Sequence, residues 1–297
     1  MSDSEGLTSR FSPEQRTKVG LVLVFAVIGV STSAVLVKMM TASSLAIASW
    51  RTLGAFGILS PAVVRQLKTI SRADFLAVLV AGLLLGLHFV LWFESLQSTT
   101  VLRSTVLVCT VPVWTGLGEM LWFKRRVPAS FWVGVAVALG GVMFMSPGTD
   151  DPASRTGDLL AISASILWAF YMLIGRKVRQ RVGASAWMGI ACASSALCLW
   201  PIALSQGAVM WGFDSTTWWC LLGAVLGPQL IGHQGFAYAV RWVPASRIAL
   251  VTLLEPVGAA TLAALILNEW PEPTAGIGAA LILLGIALAT RKDLAAR

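Results

Sequence analysis

The sequence predicts an all-α polytopic membrane protein, with ten transmembrane helices arranged as two inverted five-helix repeats. Three observations carry that expectation. Hydrophobic residues make up 57% of the 297-residue chain and charged residues only 12%, against roughly 25% charged in soluble domains. Ten apolar segments, each close to the ~20 residues that cross a bilayer, lie between polar breaks. Finally, Arg103, Pro112, Val113, Leu121, Gly134, Ala136, Leu139 and Gly141 recur without a gap 144 residues later as Arg247, Pro256, Val257, Leu265, Gly278, Ala280, Leu283 and Gly285.

The first segment, 19–38, follows a polar stretch, 1–17, that lacks the apolar core and cleavage site of a signal peptide, so it is expected to stay as its own insertion signal. The second to fifth segments fall at 44–64, 74–96, 101–123 and 130–146, and the sixth to tenth at 157–175, 185–206, 216–240, 245–267 and 273–290. A cytoplasmic N-terminus places Arg10, Arg16 and Lys18, then Arg65, Lys68 and Arg72, then Lys124, Arg125 and Arg126 on the inside. Arg176, Lys177, Arg179 and Arg181 follow there, as do Arg241, Arg247, Arg291, Lys292 and Arg297. Of the 22 basic residues only Lys38, Arg103 and Arg155 then lie outside, with Arg51 inside a span, as the charge rule for short loops requires. The net charge of +8 is thus explained by topology, with no call for nucleic acid.

Five is odd, so the second half enters from the opposite side and the repeat is inverted. The expected division is a cytoplasmic tail at 1–17, a first repeat at 18–147, an outer linker at 148–156, a second repeat at 157–291 and a cytoplasmic tail at 292–297. Inverted repeats of this kind build secondary transporters, with the solute site between the halves near the midplane.

Polar groups in hydrocarbon are costly unless they face protein or a water-filled cavity, so they locate the interior. In the third helix His88, Trp92 and Ser95 share one face, and in the eighth His233, Gln234 and Tyr238 do the same. The repeat offset sets position 232 opposite His88, one residue out of register. Trp168 and Tyr171 lie mid-span in the sixth helix, whereas Trp122, Trp132, Trp211, Trp218, Trp219, Trp242 and Trp270 sit where an interfacial belt is expected. Ser31, Thr32 and Ser33 are either backbone-bonded hydroxyls at a tight helix contact or part of a ligand site. The candidate substrate-binding set is His88, Trp92, Trp168, Tyr171, His233, Gln234, Tyr238 and Ser33. Aromatic rings with a few fixed hydrogen bonds suit a small amphipathic solute.

Pro112 and Pro256 lie about a third of the way into the fourth and ninth helices and are candidate hinges, since proline removes a backbone bond and favours a kink. Gly82 with Gly86 and Gly223 with Gly227 permit close helix approach. Arg51 is expected to pair with Glu94. Glu255 reads either as a proton-coupling carboxylate or as a partner of Arg247, and Lys38 either meets a solute carboxylate or snorkels to water. Cys109, Cys192, Cys198 and Cys220 have no metal or disulfide spacing and are read as packing residues.

Glu255 and Pro256, a small-residue helix, Asn268 and Glu269, and a last span with Gly276, Gly278 and Gly285 resemble the EamA-type members of the drug/metabolite transporter superfamily over nearly the whole chain. The run Leu167, Trp168, Ala169, Phe170, Tyr171, ending in Arg176 and Lys177, looks like the sixth helix of aromatic amino acid exporters in that superfamily. The resemblance implies efflux of aromatic and other neutral amino acids across a bacterial inner membrane, through a central cavity lined by both repeats. The expected partners are an amino-acid solute and the lipid bilayer, with no cofactor, metal or nucleic acid, and a monomer as the unit. A different small metabolite or drug is the alternative cargo. A membrane-embedded, lipid-active enzyme is the alternative class, but no HExxH, GxSxG or acidic pair at one depth is present, and no P-loop that would hold ATP.

Overall fold

Several spans begin where a polar residue can satisfy free backbone amides and continue while apolar residues face lipid or neighbouring helices. In the computed structural model, which describes residues 12–145 and 152–295, Ser12 caps the first helix by accepting from the Gln15 amide, with Pro13 in its first turn. Ser43, Ser71, Thr100 and Asp214 cap later helices in the same way. The spans are α1 (Pro13–Lys38, with a turn at Thr32), α2 (Ser44–Leu67), α3 (Arg72–Ser98), α4a (Val101–Val108) and α4b (Val111–Trp122), and α5 (Ala129–Met145). The second half continues with α6 (Pro152–Val178), α7 (Ala184–Ser205), α8 (Ser215–Ala239), α9a (Ala245–Thr252) and α9b (Glu255–Leu267), and α10 (Ala275–Ala295). No strand occurs among the described residues. The tail to residue 11, residues 146–151 at the end of the expected first repeat and the start of the expected linker, and residues 296–297 lie outside the described part.

The kinks expected at Pro112 and Pro256 are full breaks. α4 stops at Val108 and restarts at Val111, and α9 stops at Thr252 and restarts at Glu255, with each proline in the first turn of the new helix. A proline there has no amide to lose, because the first-turn amides have no intrahelical partner. Both breaks obey the 144-residue offset, and so does a feature the letters do not reveal. Among the described residues, the two non-glycine positions with left-handed backbone are Lys124 (φ 51°) and Asn268 (φ 58°). The following amides, of Arg125 and Glu269, close on the carbonyls of Glu119 and Ala263.

Neighbour relations repeat with the halves exchanged. α3 packs along α6 while α8 packs along α1; α2 lies on α7, and α5 on α10; α4a meets α9b while α4b meets α9a. At the α5–α10 contact the repeat-matched glycines cross over. A Cβ on Gly134 would lie 2.4 Å from the Gly285 oxygen, one on Gly141 2.5 Å from the Gly278 oxygen, and one on Gly285 2.5 Å from the Gly134 oxygen. That reciprocal, antiparallel contact is the signature of a two-fold relation between oppositely directed halves.

The halves differ in α8. Pro228 lacks an amide, and residues Val225–His233 form a π-helical stretch with no counterpart in α3. Bonding to the fifth residue instead of the fourth takes up extra chain. His233 thereby reaches the position that the offset assigns to 232, which accounts for the one-residue slip against His88.

Candidate functional site

The two helix breaks approach each other at the centre of the bundle, and the pocket lies there. Val30 of α1, His88 and Trp92 of α3, Val108 and Cys109 at the α4 break, Trp168 of α6, His233 of α8 and Glu255 at the start of α9b line it. The four ring residues form one cluster. His88 stacks 6.1 Å from Trp92 and 6.0 Å from Trp168, His233 lies edge-on 5.6 Å from Trp168, and the two imidazoles are 6.1 Å apart. His88 Nδ1 is 2.9 Å from the Ala164 carbonyl, and a carbonyl can only accept, so the proton sits on Nδ1 and Nε2 of a neutral ring is an acceptor.

Several buried polar atoms of this region have no hydrogen-bond partner in the protein: Nε1 of Trp92, Nε1 of Trp168, Nδ1 of His233 and Nη2 of Arg51. Such atoms are costly when left unmade and mark positions where a ligand or water completes the bonding. The pocket has a volume of only about 10 Å³, about one water's worth.

Arg51 does not partner Glu94, which is exposed. Its Nε donates to Gln229 Oε1 at 2.8 Å and its Nη1 to Ser33 Oγ at 2.9 Å, and the guanidinium lies 4.1 Å over the Phe89 ring. Gln229 lies within the π-helical stretch of α8, beside Pro228. Glu255 is not bonded to Arg247. Its partner is the Cys109 thiol, 3.9 Å from Oε2, and that thiol also faces the Thr252 carbonyl.

The structure therefore brings together His88, Trp92, Trp168 and His233, and adds Val30, Val108, Cys109 and Glu255. It places the other candidates elsewhere. Tyr171 accepts from Trp187 Nε1 at 2.7 Å, Gln234 donates to Ser185 at 3.1 Å, and Tyr238 accepts from Gln15 at 3.0 Å. Ser33 is held by Arg51, while Ser31 and Thr32 bond the Val27 and Gly29 carbonyls of their own helix. Gly29 sits where a Cβ would meet the Gly227 oxygen at 2.9 Å, so the hydroxyl run accompanies a tight α1–α8 contact. Lys38 donates to the Thr99 carbonyl at 3.0 Å.

At the arginine-rich end a second cleft of about 270 Å³ opens between Glu119, Phe123, Arg125, Arg176, Gln180 and Arg241. It is crossed by two ties. Arg176 Nη1 donates to the Val240 and Arg241 carbonyls at 2.8 and 3.0 Å, and Glu119 accepts from the Ser246 amide and hydroxyl. The opposite end is tied by Arg103 to Asp158 and by the Val101 amide to Glu269.

Two inverted five-helix halves around a buried aromatic pocket, with polar ties at both ends and a cleft at the arginine-rich one, define a multi-pass membrane protein of the transporter class. The chain belongs to the EamA-like transporter family, whose model matches residues 17–146 and again 155–291. It is 27% identical over 258 residues to the uncharacterized transporter YwfM of Bacillus subtilis, covering 83% of this chain and 84% of that one. To the threonine/homoserine exporter RhtA of Escherichia coli it is 27% identical, with 75% of each chain covered, and to a riboflavin transporter of Vibrio cholerae 23%, covering 70% and 68%. A solved crystal structure superposes with a TM-score of 0.74 at 18% identity, over 93% of this chain and 98% of the other, which is a likeness of fold.

Proposed function

We propose that the protein is an inner-membrane secondary transporter that exports aromatic and other neutral amino acids, or similar small metabolites, by alternating access. The observation that carries this reading is the central pocket itself: stacked indoles and imidazoles with unpartnered N–H groups, at the seam where both broken helices meet. Rings supply apolar contact area and the free donors fix orientation. A pocket of about 10 Å³ admits no amino acid, so loading requires the halves to separate on one side. The helix ends at Pro112 and Pro256 are suited to that movement, because a break absorbs rotation without losing a backbone ladder. The basic residues gathered at one end favour cytoplasmic termini. RhtA bears an amino acid exporter's name, and that of the riboflavin transporter points to aromatic cargo.

Purified protein in proteoliposomes is expected to catalyse counterflow of labelled phenylalanine, tryptophan or threonine. Folded protein that moves none of these but carries a phosphorylated or lipid solute would end the amino-acid reading. For orientation, a membrane-impermeant thiol reagent should reach a cysteine placed at Arg125 only from the cytoplasmic side.

A further inference from the structure

We infer that Glu255 binds the protonated amino group of the transported solute, so that the pocket selects for a primary ammonium; this rests on the transport reading above. The repeat supplies the first reason. Glu255 opens α9b, and the matched position opening α4b is Val111, so a carboxylate stands on one side of an otherwise paired seam. The second is its bonding. Glu255 is 6% exposed and its one side-chain partner is a thiol at 3.9 Å, whereas a buried carboxylate usually takes two or more good donors.

The groups that share the pocket with it come from several neighbouring elements: Cys109 from α4, His88 and Trp92 from α3, Trp168 from α6, His233 from α8 and, without charge or polarity, Val30 from α1. Arg51 of α2 acts on it electrostatically but spends its Nε and Nη1 on Gln229 and Ser33. The first-turn amides and dipole of α9b favour negative charge at this place. A carboxylate beside aromatic faces is what a primary ammonium requires, for a charged hydrogen bond and a cation–π contact. The Trp92 and Trp168 N–H groups, unpartnered in the same pocket, are donors suited to the other pole of an amino acid, its carboxylate.

The test is competition against flux of labelled phenylalanine or threonine, whichever the wild type carries. Each has an amine-only and an acid-only analogue: phenethylamine and 3-phenylpropionate, or 1-amino-2-propanol and 3-hydroxybutyrate. The amine-only member should compete within about tenfold of the amino acid and the acid-only member at least about 100-fold more weakly, as expected when a buried group is left unpaired. Glu255→Gln should raise the half-saturation concentration by roughly 30-fold or more and erase the preference for the amine, while Glu255→Asp retains part of it. Equal competition by acid-only and amine-only analogues overturns the inference, as does an unchanged preference in Glu255→Gln; if that variant fails to fold, the wild-type series decides alone. Wild-type protein that carries neither amino acid overturns the amino-acid reading and the inference with it. Flux without amine preference overturns only the inference.

Discussion

α4 and α9 are the same device built twice, and they differ where it matters. Both break after eight residues, both restart with a proline in the first turn, and both end on a left-handed residue, Lys124 or Asn268. Yet α9b opens with Glu255 where α4b opens with Val111, and α4b carries Glu119 toward the arginine-rich end where α9b has Ala263. In this pair of helices the backbone geometry is shared and the carboxylates are not. A frame that must rock needs the first; a solute with two unlike ends needs the second.

The frame is the easier part to break. Gly134→Leu and Gly285→Leu, from opposite halves, should each abolish monodisperse protein in size-exclusion chromatography, since a side chain would run into backbone at 2.4–2.5 Å; overpacking of this kind exceeds the usual range of about 1–3 kcal/mol. Gly140→Leu, where a Cβ meets nothing within 4 Å, should leave the yield intact. Unequal effects of the two crossed glycines would break the symmetry on which the comparison of halves depends.

The asymmetric part is expected to respond differently. Gln229→Leu leaves a buried guanidinium nitrogen of Arg51 unmatched, a loss on the order of 2–3 kcal/mol readable as a lowered Tm in detergent. Ser195→Ala, at the position that the offset pairs with Arg51, should cost less, because its hydroxyl bonds only backbone carbonyls, of Gly82 and Ala191. Pro112→Ala and Pro256→Ala should slow turnover several-fold while changing half-saturation little, if the breaks serve motion and not binding; a selective loss of affinity would remove the hinge role.

The smallest effect is expected at the rim. The Thr217 amide, with the hydroxyls of Thr41 and Thr217, holds the Asp214 carboxyl down to about 2. Its folded value is depressed, so its stabilisation is present above the unfolded value of about 3.9 and is lost as pH falls toward about 2. Thermal unfolding followed between about pH 5 and 2 should show a larger decrement in wild type than in Asp214→Asn.

The frame was largely legible in the letters. Span positions, charge bias and the glycine and proline matches are written in residue types, and two of those glycine pairs proved to be the crossing contact of α5 and α10. The caps at Lys124 and Asn268 were not, because two side chains of unlike chemistry meet one backbone demand. The pocket was legible by half. His88, Trp92, Trp168 and His233 share faces visible at helical spacing, but Tyr171, Gln234 and Tyr238 share them too and find partners nearer the arginine-rich end. Depth along a helix separates the two groups, and periodicity does not carry depth. Arg51 met Gln229, in the π-helical stretch around Pro228, instead of Glu94, which is exposed, and Glu255 opens a new helix at the break beside the pocket. Pro228 was the available signal for the first; for the second it was a carboxylate directly before a proline in mid-span.

The most direct measurement compares wild type and Trp168→Ala for counterflow of labelled phenylalanine and threonine in matched proteoliposomes, with Trp219→Ala as a lipid-facing control of the same chemistry, 73% exposed. A solute held at the seam predicts a fall of roughly tenfold or more for Trp168→Ala and wild-type flux for Trp219→Ala. Undiminished flux in folded Trp168→Ala would contradict it, and would place the transported molecule elsewhere in the bundle.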